Sequence, residues 1–514
     1  MGLDQQICSR ARLSRDARFD GKFFIAVLST KIYCRPICPS RTSRESNVRY
    51  YPTAAAAAEA GYRPCLRCRP ESSPGTPAWL GTSNTVTRAL RLISESGLDD
   101  GVEALADRLG IGPRHLRRLF LKHLGATPIA VAHTRRLHFA KKLIDETSLP
   151  MGEIAMAAGF GCVRRFNAGI RKFFHRTPTQ IRHLARHKEL QPANRYLFHL
   201  NFRPPYHWQA MLDFLGPRCT PGVEMVEGNC YRRSIFLNGK AGYFEVWLEE
   251  QRHCLVAQIE FGDPRFLFVI VERIRKMFDL NADWTSISKS LKHDPALTEK
   301  LRSEPGIRVP GCWDGFELVT RAILGQQVTV KGATALAGRL VAKFGKEFRG
   351  ENGLTHLFPV PDVLAQATIR DIGVTGARSE TIRALARAVC DGRINFAGVV
   401  DFGRFLDRLS EIPGIGNWTA QYVALRALGD PDAFPSTDLG LLRASKLRAT
   451  QDLEQRSEAW RPWRAYAAMY LWRSPSMQAV GRKKPPILKA PSGRDEDAPS
   501  RDDVLAFRAS GRAN

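Results

Sequence analysis

Apolar and polar residues alternate along two neighbouring stretches, Tyr243 to Glu249 and Cys254 to Phe261. A period of two turns one face of each stretch toward a core, so residues 196 to about 285 are expected to hold a small antiparallel sheet. From 296 the period lengthens to that of a helix. Leu406 and Leu409 precede the turn Pro413-Gly414-Ile415-Gly416, and Trp418, Tyr422 and Leu425 follow it at i, i+4 and i+7, which predicts helix, hairpin, helix with the second helix over Asn417 to Leu428. Between Glu103 and Phe120 an apolar first helix, a glycine turn and a basic second helix with Pro113 in its first turn read as a helix-turn-helix. A second copy follows about fifty residues later, Glu153 to Phe160 and then Arg164, Arg165, Phe166, Lys172, Phe173 and Phe174; both copies end in Thr-Pro, at Thr127-Pro128 and Thr177-Pro178. The run Ala54 to Ala58 predicts a short helix.

With 514 residues, 44% of them hydrophobic, the chain has material for several cores. Composition breaks at Pro70 to Pro77 and at Arg186 to Pro192 mark linkers. The expected fold is multidomain α+β: a small four-cysteine domain over 1–76, an all-α double helix-turn-helix domain over 84–186, a small antiparallel α/β domain over 196–290, an all-α domain over 296–475, and a disordered tail over 478–514, rich in Lys, Arg, Pro, Ser and Asp. No stretch approaches the roughly 18 apolar residues of a membrane span, and Met1 to Arg12 lacks an apolar signal core, so a cytoplasmic protein without a membrane partner is expected. The net charge is +26. Residues 1–190 carry 32 Lys and Arg against 15 Asp and Glu, so the footprint of a polyanionic partner is densest on the first two domains.

Four thiols stand as Cys34-x3-Cys38-x26-Cys65-x2-Cys68. Two close pairs separated by a loop suit one tetrahedral Zn2+, and on spacing alone such a site is structural. Disulfides are the rival reading; eleven cysteines, an odd count, and a reducing cytoplasm favour zinc. In the other half, glycines at 414 and 416 allow φ > 0 and close backbone approach, so the N–H groups at a helix start can hold a phosphate. An ordinary turn is the alternative for a bare Gly-x-Gly. Eighteen residues after Ala420 comes a lone acid, Asp438. A phosphate nest followed by a carboxylate that could act on a sugar suggests removal of bases from DNA.

Residues 196 to 475 resemble the bacterial 3-methyladenine DNA glycosylase II type of the helix-hairpin-helix superfamily. The matching text is Pro204-Pro205-Tyr206-His207-Trp208, Asp213-Phe214-Leu215, Val309 to Asp314, Arg321 to Gln327, the hairpin, Asp438, and Trp460 to Tyr466 ending in Trp472. The resemblance implies an all-α helix-hairpin-helix glycosylase domain with Asp438 as the catalytic carboxylate and Phe214, Trp418, Tyr422 and Trp472 as walls of a base pocket, whose π faces attract an N-alkylated, cationic purine by about 0.5–2 kcal/mol. It implies DNA contacts from Gly414, Gly416, Thr419 and Gln327, and a monovalent cation at the hairpin. Lyase-capable relatives carry a lysine where Trp418 stands and form a Schiff base with it; with tryptophan there, a monofunctional hydrolase is expected. No iron–sulfur cluster is expected, because the last cysteine is Cys390. The relative has leucine as the wedge where this chain has Gln327, which offers hydrogen bonds in exchange for apolar stacking.

The first domain resembles the amino-terminal domain of the Ada adaptive-response regulators, through Lys22 to Val27, Ile32 to Cys38, Asn47-Val48 and Ala60 to Cys68. The resemblance implies that Cys34 is both zinc ligand and irreversible acceptor of a methyl group from a methylphosphotriester in DNA. Methylation changes the four-thiolate zinc site from formal charge −2 to −1 and should tighten binding to phosphate. Arg35, Arg41 and Arg63 are candidate phosphate contacts. The double helix-turn-helix resembles the AraC type, and Arg114, His115, Arg117, Arg118, Arg164 and Arg165 are candidate DNA contacts. Alkylated and promoter double-stranded DNA are the implied partners, with RNA polymerase as a further partner of an activator, in a bacterial, nucleoid-associated setting. The Pro-Cys-His-Arg site of full-length Ada does not occur, so repair of O6-methylguanine is not expected. Two other readings stay open: a repair glycosylase whose extra domains only target DNA, and a regulator with an inactive glycosylase domain.

Overall fold

The computed structural model describes residues 3–74, 84–96, 100–184, 194–350, 353–399 and 401–473. The linker expected at 186–192 and the tail expected at 478–514 lie outside them. The first domain opens with the helix Gln5–Leu13, started by Asp4, whose carboxylate accepts from the N–H groups of Gln6 and Ile7. Strands β1 (Phe24–Val27), β2 (Ile32–Cys34), β3 (Val48–Tyr51) and β4 (Arg63–Pro64) form one sheet in the order β3-β1-β2-β4. The alanine run folds as the helix Ala54–Glu59, capped by Thr53. Alanine is needed on two sides of it: Ala57 packs on the sheet with Phe24, Tyr33 and Tyr62, and Ala55 and Ala56 pack into the next domain beside Phe120 and Leu124.

The stretch read as a linker from Pro70 is not free at its start. Pro70–Ser72 form a 3-10 turn, and Glu71 is buried against Lys141, whose Nζ donates to it at 2.6 Å. Burial pushes the Glu71 carboxyl up, but the charges of Lys141 and Arg69 outweigh it and hold the group down at about 2. The partner that orders this segment stands seventy residues away, beyond the reach of local composition.

The two helix-turn-helix units occupy Gly101–Arg108 with Pro113–Leu124, and Met151–Ala157 with Val163–Phe174. The repeated Thr-Pro has a local cause: Thr127 caps Pro128–Glu146 and Thr177 caps Pro178–Leu184, each hydroxyl accepting from the N–H three residues on, with proline in the first turn. The long helix Pro128–Glu146 joins the two units.

Strands β5 (Arg195–Asn201), β6 (Glu224–Glu227), β7 (Cys230–Leu237), β8 (Lys240–Glu249) and β9 (Cys254–Phe261) make an antiparallel sheet in the order β5-β9-β8-β7-β6. The alternating residues at 243–249 and 254–261 are neighbours in it, with Tyr243 opposite Glu260 and Trp247 opposite Val256. β5 alternates cleanly in burial, whereas β9 is buried along nearly its whole length. The joining helix Pro128–Glu146 packs here, Phe139 stacking on Phe198 of β5 and meeting Phe268 edge-on, so one apolar core runs from the second helix-turn-helix through the sheet. Helices Gly315–Leu324, Val330–Phe344, Gly376–Cys390 and Phe402–Ser410 build a second core around the hairpin, and Trp284–Leu291, Pro295–Ser303 and Arg464–Trp472 build a third. Among the described residues no helix is long and apolar enough to cross a membrane.

Candidate active site and metal centre

Asp438 starts the helix Leu439–Ala444, and its side chain caps that helix. Its Oδ1 accepts from Leu441 N at 2.9 Å and from the Trp472 indole at 3.0 Å; its Oδ2 accepts from the Trp418 indole at 2.8 Å. Three donors fix the carboxylate in place while it stays only half-buried. Two of the four expected pocket aromatics therefore orient the acid as well as line the space beside it.

The four rings do come together. Trp418 and Tyr422 lie parallel, 8° apart with centroids at 5.2 Å, and Phe214 faces Trp472 at 6.4 Å. The parallel pair is in direct contact, so a third ring could lie only on an outer face of it and not within it. Phe214 reaches the site from the helix Trp208–Leu215 of the sheet domain, and Trp472 ends the helix Arg464–Trp472. The π faces of these rings are not all open. The Arg218 guanidinium covers Phe214 at 4.1 Å, and Arg426 lies 5.0 Å from Phe214 and 5.5 Å from Tyr422. Arg426 also donates to the Tyr422 hydroxyl at 2.8 Å. Burial pushes the Tyr422 phenol up, yet the charges of Arg426 and Arg218 prevail and hold it below its ordinary value. Arg426 stands one helical turn after Tyr422, a basic position on the aromatic face that could have been noticed; Arg218 carried no such signal. Around Arg426 the chain follows a π turn, Ala424–Leu428, so the expected α-helix from Asn417 stops at Val423.

The two hairpin glycines have different reasons. Gly414 has φ +90°, and a Cβ there would lie 2.3 Å from the Thr381 hydroxyl. Gly416 has φ −94°, so the expected left-handed backbone is absent; a Cβ there would meet nothing within 4 Å. Its value is open access to the N–H groups that start the helix Asn417–Val423. Thr419 is 2% exposed and accepts from Gln326 Nε2 at 3.4 Å, so its hydroxyl is a brace for the hairpin and not a surface contact. Gln326 also donates to Gly414 O at 2.8 Å, a tie that sequence reasoning missed. The next residue, Gln327, is exposed and left-handed at φ +56°, which projects it from the turn between two helices as a wedge requires.

In the first domain the four Sγ atoms of Cys34, Cys38, Cys65 and Cys68 all lie within 4.8 Å of one another. Four thiolates around Zn2+ at 2.3 Å sit about 3.8 Å apart, so the donor set fits. Arg35 is a correction. It is 5% exposed, its guanidinium pairs with Asp20 and donates to Cys68 O at 3.2 Å, and its backbone N–H donates to Cys68 Sγ at 3.3 Å. It braces the metal site from inside and is not placed to touch phosphate. Arg41 is exposed and Arg63 half-buried; Arg67, between two ligands, is exposed and was overlooked. Arg114, His115, Arg117, Arg118, Arg164 and Arg165 are all exposed on the second helices of their units.

Three family models match in chain order: the metal binding domain of Ada over 7–71, a helix-turn-helix domain over 105–183, and the AlkA N-terminal domain over 197–314. A Mycobacterium tuberculosis protein described as a probable bifunctional transcriptional activator/DNA repair enzyme AlkA is 41% identical over 479 residues, 91% of this chain and 96% of that one. The chain belongs to this family. Its two halves also match separate proteins. The DNA-3-methyladenine glycosylase 2 of Escherichia coli is 30% identical over 55% of this chain and 99% of its own, and the bifunctional transcriptional activator/DNA repair enzyme Ada of the same organism is 42% identical over 23% of this chain and 32% of its own. In this family member Cys34, Cys38, Cys65 and Cys68 form the zinc site.

Proposed function

We propose that the chain is an alkylation-damage response protein that excises N-alkylated purines such as 3-methyladenine by hydrolysis, accepts a methyl group from a methylphosphotriester on Cys34, and activates transcription through its paired helix-turn-helix units. The observation that carries the reading is Asp438, fixed by two indole N–H groups at the edge of a four-aromatic cleft. A base flipped from duplex DNA stacks against the rings. As the C1′–N bond breaks, its electron pair leaves with the base and positive charge gathers on the sugar, where the carboxylate stabilises it, orients the water that adds to C1′ and accepts the proton that this water gives up. Trp418 supplies no amine at the position where a Schiff base would form, so the product is an uncut abasic site. Gly414, Gly416 and the helix start hold a backbone phosphate, and Gln327 fills the gap left by the base.

At the other site zinc keeps the sulfurs as thiolates. Cys34 Sγ attacks the methyl carbon, the new S–C bond forms as the C–O bond breaks, and the phosphodiester leaves as an anion. Arg41, Arg63 and Arg67 contact neighbouring phosphates and the exposed arginines of the two reading helices contact the operator, a reading that their exposure supports for all but the half-buried Arg63, with RNA polymerase as the partner of the bound activator.

The test is release of 3-methyladenine from DNA by the full chain and by Asp438→Asn, which keeps a helix-capping oxygen. A fall of roughly 10²–10³-fold is expected for loss of a preorganised charge; release at the parent rate would overturn the assignment. Mass analysis after exposure to methylated DNA should place one methyl group on Cys34.

A further inference from the structure

The zinc domain and the sheet domain meet through buried polar groups, unlike two modules on a flexible tether. Arg203, two residues after the end of β5, is 1% exposed. Its Nε donates to Asp20 O at 2.8 Å, and its Nη1 donates to Asn281 O at 2.7 Å. Beside it Lys22 pairs with Asp283 at 2.7 Å. Gly21, at φ +72°, makes room for this: a Cβ would stand 2.2 Å from Pro74 O and 3.1 Å from Arg203 Nη2.

Followed in both directions, these contacts join the two chemical sites. Toward zinc, Asp20 holds the guanidinium of Arg35, whose backbone N–H and Nη1 rest on the ligand Cys68. Toward the cleft, Arg308 Nη2 donates to Arg203 O at 2.6 Å and to Pro205 O at 2.9 Å. Two residues on, the carbonyls of Pro310 and Gly311 accept from Arg426 at 2.9 and 2.8 Å. Arg426 then holds Tyr422. The links are hydrogen bonds of groups that are largely buried, where a lost partner is not readily replaced by water, joined by covalent chain within Asp20 and from Arg308 to Gly311.

We propose that the methyl-acceptor domain is an internal docking partner of the glycosylase, and that an intact zinc site holds the segment 306–311 and, through Arg426, the base pocket. Ordering of the sensor then governs excision at a site outside the zinc domain; among the described residues the four cysteines are the one cluster of His, Cys, Asp or Glu side chains that could hold a metal ion. The coupling runs through two-sided contacts and needs no DNA.

Hydrogen exchange of the full chain, with zinc bound and after chelation, tests this. Removal of zinc is expected to lower amide protection at 307–309, 311 and 423–428 together with that of the zinc domain. Arg203→Met with zinc bound should lower protection at the same glycosylase amides and leave β1 and β2 protected. Release of 3-methyladenine should fall several-fold in both cases. Loss of protection confined to the zinc domain after chelation overturns the proposal, whether or not the variant folds. The release measurement rests on the glycosylase reading above, but the exchange measurement does not, so failure of one is separable from failure of the other.

Discussion

Asp279 is half-buried, its carboxylate accepting from the Tyr466 hydroxyl at 2.8 Å and the Val309 N–H at 3.4 Å, and desolvation of the carboxyl pushes it up to about 6 despite the charge of Arg308. Its folded value lies above the unfolded one, so the folded state binds the extra proton: the contribution is full below pH about 4 and is lost as pH rises through about 6. Asp279→Asn keeps an acceptor for both donors and removes the titration. Relative to the parent, the variant should therefore gain stability between pH 4.5 and 7, by up to about 3 kcal/mol, read as the difference in urea midpoints. Asp438, the proposed catalytic carboxylate, is instead held by three N–H donors beside the cleft. Trp472→Phe keeps the ring against Phe214 and removes one donor, and excision should fall about 10- to 100-fold, the worth of a hydrogen bond to a charged group, with KM nearly unchanged. Trp418, Tyr422 and Asp438 were legible because they sit in or near the hairpin, and Phe214 and Trp472 because they fall in separate stretches that resemble the glycosylase family. Arg218, Gln326 and the inward turn of Arg35 were not, since each answers to groups that only the fold brings near.

At the scale of elements, the hairpin is held by close packing at one glycine. In Gly414→Ala the new Cβ meets the Thr381 hydroxyl, which donates to Pro413 O at 2.8 Å, and the left-handed backbone adds roughly 1–2 kcal/mol. The turn should shift, with lower stability in thermal unfolding and weaker binding to abasic-site DNA; Gly416→Ala, facing open space, should lower DNA affinity with little loss of stability. The reading helices make a different demand, because their arginines are exposed and each phosphate contact carries counterion release. Removing Arg164 and Arg165 together should reduce the slope of log affinity against log salt by up to about 2. Periodicity located these elements well, since alternation and the Thr-Pro caps act locally. It missed the π turn at Ala424–Leu428, and also the order at Pro70–Ser72 and the burial of β9, whose partners are distant in sequence.

For the whole molecule, composition separated two halves that packing joins. The linker at 186–192 reads as a boundary, but Phe139 of the reader's long helix lies 5.0 Å from Phe268 and 6.4 Å from Phe198, and all belong to one core. Nearby, Lys142 donates to His199 O at 2.7 Å, and Arg135 reaches Glu272 at 3.1 Å. Truncating a buried phenylalanine costs about 3–5 kcal/mol, and a cost placed in a shared core destabilises both sides of it. Eight of the nine tryptophans stand between 208 and 472, so intrinsic fluorescence reports unfolding of the glycosylase half. Phe139→Ala, made in the reader, should lower the urea midpoint of that fluorescence transition and the midpoint for loss of operator binding by the same amount. Independent modules would leave the fluorescence transition where it was, and only operator binding would move.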